Sequence, residues 1–242
     1  MKVCPNCQSR YDQGEAFCPA DGSQLVDAEE LSPGKLAGKE FGGVVQLEDL
    51  ERTDEVGERY SGHLLDGEAP VRVTVFNQDS QTLEGRRREA EQAADLLGGT
   101  LPPEILAVHS FELSDGETDG YVVEQTTDGT TLREVLDREG KLPWQKAVRL
   151  TAHLAHILHW AAERGHVHHG LHPGAIYVSD LDQGRAQVGD WIQSALVYPA
   201  EPLDEIQNGA SFVGFGSYMS PEAIEEEGDL DERSLVYSVG ML

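Results

Sequence analysis

His168-His169-Gly170-Leu171-His172-Pro173-Gly174-Ala175-Ile176 joins the longest amphipathic segment of the chain to a pair of short β-rich runs. Upstream of it Ala147, Val148, Leu150, Leu154, Ile157, Leu158 and Ala161 recur at helical intervals and Gly165 closes the segment, so the spacing predicts a core helix over 144–164. Downstream, 176–179 and 185–188 read as strands, because Asp180-Leu181-Asp182-Gln183-Gly184 between them is rich in turn formers. Gly189-Asp190-Trp191-Ile192 follows the second strand at once.

Farther toward the N-terminus, Val71, Val73 and Val75 alternate with Arg72 and Thr74, which predicts a strand over 71–76 with the valines on one face and Arg72 and Thr74 on the other. A helix is predicted over 83–97, stopped by Gly98-Gly99, then a strand over 121–124 and a short helix from Thr131 that ends near Gly140. Strands first and mostly helices afterwards predict an α+β chain in two lobes. Arg86, Arg87 and Arg88 sit among Glu84, Glu89 and Glu91 and read as a solvated helix start. The histidines at 153, 156, 159, 166, 168, 169 and 172 read as packed or surface residues rather than a metal site.

The 242 residues carry 44 acidic and 18 basic side chains, a formal charge of -26 that repels phosphate backbones and anionic lipid. Nucleic acid and membrane surfaces are therefore excluded as partners. No apolar run reaches the roughly 20 residues of a membrane span, and the N-terminus lacks the layout of a signal peptide. The expected location is cytoplasmic.

Arg87-Arg88-Glu89-Ala90, Tyr121-Val122-Val123-Glu124-Gln125-Thr126-Thr127-Asp128-Gly129, the loop at 168–176, Gly189-Asp190-Trp191, Gly214-Phe215-Gly216-Ser217-Tyr218-Met219-Ser220-Pro221-Glu222 and Arg233-Ser234-Leu235-Val236-Tyr237-Ser238-Val239-Gly240 fall in a meaningful order. In that order residues 41–242 resemble the eukaryotic-like bacterial serine/threonine protein kinase family. The resemblance implies a bilobal fold with a β-rich N-lobe and a helical C-lobe. It also implies that the domain is C-terminally incomplete near 242, so the chain reads as a fragment of a longer protein or as a truncated kinase gene.

Phosphoryl transfer in that family needs a base, metal ligands and a lysine on the phosphates. By the resemblance, the base position holds Gly170, the loop lysine position His172, the metal-binding asparagine position Ala175 and the strand lysine position Thr74. Asp190 and Glu89 are retained, Phe215 stands at an activation-segment threonine position, and Leu235 stands where the family has an aspartate. The implied nucleotide cleft would be formed by Gly57, Arg59, Arg72, Val123 and Tyr177, whose bulk and charge argue against ordinary Mg-ATP binding.

All three cysteines lie at the start of the chain. Cys4-Pro5-Asn6-Cys7 and Cys18-Pro19-Ala20-Asp21 resemble the two turns of a zinc ribbon with Asp21 as fourth ligand, which implies Zn2+ on Cys4, Cys7, Cys18 and Asp21. A metal-free remnant and a redox C-x-x-C are the alternatives. The expected organisation is a knuckle over 1–26, an acidic and Gly/Pro-punctuated linker over 27–40, and the kinase-like domain over 41–242.

The expected function is that of a pseudokinase, a non-catalytic signalling or scaffold module that binds protein partners. A divergent serine/threonine kinase or other ATP-dependent transferase working through Asp190 and Glu89 is the enzymatic alternative.

Overall fold

The computed structural model describes residues 2–3, 10–11, 14–17, 25–27, 36–53, 57–67, 69–76, 84–114, 120–196, 218–224 and 231–242. They fall into two units, one of Met1–Thr82 with His109–Gln125 and one of Leu83–Val108 with Thr126–Leu242.

The described elements of the first unit are strands. Short strands β1 (Lys2–Val3), β2 (Arg10–Tyr11) and β3 (Val26–Asp27) form an antiparallel sheet in the order β2-β1-β3. Strands β4 (Glu40–Phe41), β5 (Val45–Thr53), β6 (Gly57–Leu64), β7 (Pro70–Phe76), β8 (Val108–Glu112) and β9 (Tyr121–Gln125) make a second sheet in the order β4-β5-β6-β7-β9-β8. The alternation of β7 decides its faces. Val71, Val73 and Val75 join Val45, Leu47, Tyr60, Tyr121 and Val123 in a buried core on one side, which leaves Arg72 and Thr74 on the other.

Residues 36–40 are tied to this sheet rather than forming a free linker. Gly38 N donates to Leu47 O at 2.8 Å, Leu47 N to Lys39 O at 2.9 Å, and Leu36 N to the Tyr60 hydroxyl at 3.4 Å.

The second unit holds α1 (Glu84–Leu97), β10 (Thr130–Thr131), α2 (Leu132–Glu139), α3 (Trp144–Ala162), β11 (Ile176–Asp180), β12 (Arg185–Val188), α4 (Trp191–Leu196), α5 (Pro221–Ile224) and α6 (Glu232–Met241). The α3 residues Leu150, Leu154, Ile157, Leu158 and Ala161 are buried, as their spacing predicts. The β11–β12 hairpin is fastened to α3. Lys146 Nζ pairs with Asp182 at 2.8 Å, Arg149 donates to Asp182 O at 2.8 Å, and a Cβ on Gly184 (φ +67°) would sit 2.6 Å from the Arg149 backbone. Glycine is required there by both conformation and space.

The α+β plan matches the sequence expectation. No helix among the described residues is long and apolar enough to cross a membrane.

Candidate functional site

The loop between α3 and β11 is framed by backbone and ring contacts. His168 is buried, and because a carbonyl only accepts, its Nε2–H donates to Gly189 O at 3.0 Å. Gly189 N in turn donates to Ala175 O at 3.0 Å, closing the loop onto the exit of β12. Pro173–Ala175 form one 3-10 turn, capped by His172, whose Nδ1 accepts from Gly174 N at 3.0 Å. That ring nitrogen is thus committed to the backbone. Gly170 is buried, and Ala175 is 0% exposed.

Asp190 is 1% exposed and has φ +59°, a conformation that non-glycine residues seldom adopt. Its carbonyl accepts from Ser194 N at 2.9 Å and so opens α4, every residue of which is buried. Trp191, 0% exposed, donates from Nε1 to Val188 O at 3.0 Å and packs its rings 4.7 Å from His168 and 5.4 Å from His166. Burial, reinforced by the neighbouring His168 and His169, holds the His166 pKa down at about 4. Burial also lowers that of His168, against the opposing pull of its bond to Gly189 and of the Asp190 charge. Both rings are neutral near pH 7.

Helix α1 packs on α4, and its Glu89 lies 3.7 Å from His169 Nε2. In this unit the loop supplies the imidazole that Glu89 faces. Tyr177 is buried on β11, where a Cβ on Gly129 would stand 3.1 Å, and one on Gly189 3.2 Å, from its atoms. Gly189 makes room for the phenol ring, and Gly129 for the Tyr177 Cβ and backbone. Glu222 accepts from Ser234 Oγ on α6 at 2.8 Å, and Leu235 is buried.

In the first unit, Arg59, Arg72 and Thr74 share the sheet face opposite the core, since Arg59 opposes Thr74 and Arg72 opposes Glu124 in register. Gly57 serves the sheet itself, for a Cβ there would lie 1.9 Å from Val75 O. Val123, grouped with the cleft residues from sequence, sits on the core face. Cys4, Cys7, Cys18 and Asp21 lie outside the described residues, as does Phe215. No group of metal-binding side chains occurs among the described residues.

Sequence reading missed α4, the Glu89–His169 contact and the buried Glu124. The run Trp191, Ile192, Ala195 and Leu196 carried a helical i, i+1, i+4, i+5 signal for the first. The second joins residues 80 positions apart, which no local pattern reports.

Against known proteins, no family model matches the chain. It is 30% identical over 159 residues to the serine/threonine-protein kinase PknB of Mycobacterium leprae, covering 64% of this chain and 24% of that protein. To the serine/threonine-protein kinase PksC of Streptomyces coelicolor it is 28% identical over 222 residues, covering 86% of this chain and 38% of the relative. The chain thus spans a minor part of each of these relatives. The crystal structure of the Mycobacterium tuberculosis PknI kinase domain superposes with a TM-score of 0.62 at 20% identity, over 84% of this chain and 73% of that one.

Proposed function

We propose that this chain, a member of the eukaryotic-like bacterial serine/threonine protein kinase family with that family's α+β kinase fold, is a pseudokinase. Its role is to present a kinase-fold surface to a protein partner in signalling. One observation carries the reading: the loop that would hold the proton acceptor and the metal-binding amide offers buried Gly170 and Ala175 instead. A missing general base alone removes roughly 10²–10⁴-fold of rate, and phosphoryl transfer relies almost wholly on such positioned charges. His172 does not substitute through Nδ1, which the backbone occupies.

The experiment is a thermal-shift titration with ATP and magnesium. A ligand at 100 times its dissociation constant adds about 2.7 kcal/mol of stability; the reading expects no such gain, and a saturating gain contradicts the loss of the nucleotide site.

A second reading, a divergent phosphotransferase, is favoured by one feature, the retained and buried Asp190. It requires that label transfer from ATP vanish in Asp190→Ala. For the N-terminal segment we propose Zn2+ on Cys4, Cys7, Cys18 and Asp21, supported by the C-x2-C spacing. One zinc per chain, lost in Cys18→Ser, is the expected result of metal analysis.

A further inference from the structure

Helix α3 carries no acidic residue, and none occurs anywhere in 140–162, the longest such stretch in a chain with 44 acidic side chains. Its basic groups are turned to one side. Lys146 pairs with Asp182, Arg149 donates to Asp182 O, and His153 Nε2 lies 3.1 Å from Ala186 O, all on the β11–β12 hairpin. At about 3.6 residues per turn, Trp144, Val148, Thr151, Ala155 and His159 line up as a separate stripe with Ala152 beside it. None of the six is Asp, Glu, Lys or Arg. Trp144 is 71% and Val148 58% exposed, and Thr151, Ala152, Ala155 and His159 are exposed as well. The helix therefore has a second face poor in charge besides the one buried in the core, where a surface helix needs only one. Glu163 and Glu232 stand at the end of the stripe, 3.6 Å and 3.4 Å from the His159 ring nitrogens.

Charge limits what can cover this stripe. Two copies of a chain with formal charge -26 repel over most of their surface, and they approach at least cost where acids are absent. The stripe is also its own complement. In an antiparallel pair about a two-fold axis between Thr151 and Ala152, Val148 of each copy falls opposite Ala155 of the other, Trp144 opposite His159, and Thr151 opposite Ala152. Small side chains at the centre let two helices approach to about 8–10 Å. At each end the exposed Lys141 comes level with the exposed Glu163 of the other copy, a rim pair of opposite sign.

We propose that α3 is a homodimer contact, in which the stripe of Trp144, Val148 and Ala155 packs antiparallel on the same stripe of a second copy. The contact uses neither the loop at 168–176 nor a nucleotide, so it stands or falls separately from the pseudokinase reading.

A single helix pair lies at the small end of specific interfaces, below about 1,200 Å² of total buried surface. The test is therefore sedimentation velocity of the whole chain from about 1 to 100 μM, where weak pairs assemble. The mass is expected to rise from one chain toward two and no further, because a two-fold contact closes. Added salt should tighten the pair, since screening relieves the mutual repulsion; weakening by salt would mean that charged patches make the contact and would overturn the proposal. Val148→Asp puts an acid into each half of the stripe and should leave a monomer whose melting temperature is unchanged, the site being exposed in one copy. Val148→Lys combined with Ala155→Glu should recover at least tenfold of the affinity that either change alone removes, because the antiparallel register brings the two positions together; no recovery contradicts that pairing. Val236→Asp, on the exposed apolar part of α6, should leave the mass unchanged, and loss of the dimer there would place the contact on α6 instead. A single-copy species throughout the range overturns the proposal and leaves the stripe to a different partner, and so does a Val148→Asp variant that dimerises like the parent.

Discussion

By the family resemblance, the loop at 168–176 and strand β7 both lack groups that phosphoryl transfer uses, and the residues at those places are held in different ways. In the loop the replacements are small or turned inward: Gly170 and Ala175 are buried, and His172 caps its own turn. In β7 the residues on that face are polar or charged, with Thr74 opposite Arg59 and Arg72 opposite Glu124. The loop holds its shape through His168 on Gly189, Gly189 on Ala175 and Trp191 on both histidine rings.

The largest expected effect strikes the frame of the loop. Trp191→Ala removes a fully buried indole, its bond to Val188 and both ring contacts, and should lower stability in urea by about 3–5 kcal/mol. A loss under about 1 kcal/mol would show that the loop is framed by something else.

Acid should then distinguish the two regions. The folded state holds His166 neutral with a pKa near 4, against 6.5 ordinarily. The unfolded chain therefore binds the extra proton first. Stability is complete above about pH 6.5 and falls as the pH drops toward 4, by about 3 kcal/mol from this group alone, and the lowered His168 pulls the same way. Urea midpoints measured between pH 7 and 4 should show this slope, and His166→Gln should flatten it.

Restoring the lost side chains sharpens the contrast. Ala175→Asn forces volume into a site with no exposure and should cost about 1–3 kcal/mol, equally at low and high salt. Thr74→Lys, directly opposite Arg59, should cost about 1 kcal/mol at low salt, less as salt is added. Equal salt dependence in both variants would erase the distinction between a steric and an electrostatic replacement.

Much of the fold was legible because burial here follows simple periods. The helix expected over 144–164 is observed as Trp144–Ala162, and the strand expected over 71–76 as Pro70–Phe76. Two features were not. Helix α4 is only six residues long and buried throughout, Gln193 and Ser194 included, so its i, i+1, i+4, i+5 apolar signal is too short to decide the element. The bulge at Glu51 carries no glycine, and only the pairing of β5 with β6 reveals that it brings Arg52 against Arg59. The use His172 makes of its ring was not legible either, because a side chain bonded two residues ahead leaves no trace in spacing.

The most direct trial of the central claim is transfer of the γ-phosphate. Purified chain incubated with γ-labelled ATP and magnesium, alone and with a general peptide acceptor, should incorporate no more label than a heat-denatured control. Incorporation above that control that disappears in Asp190→Ala would contradict the account.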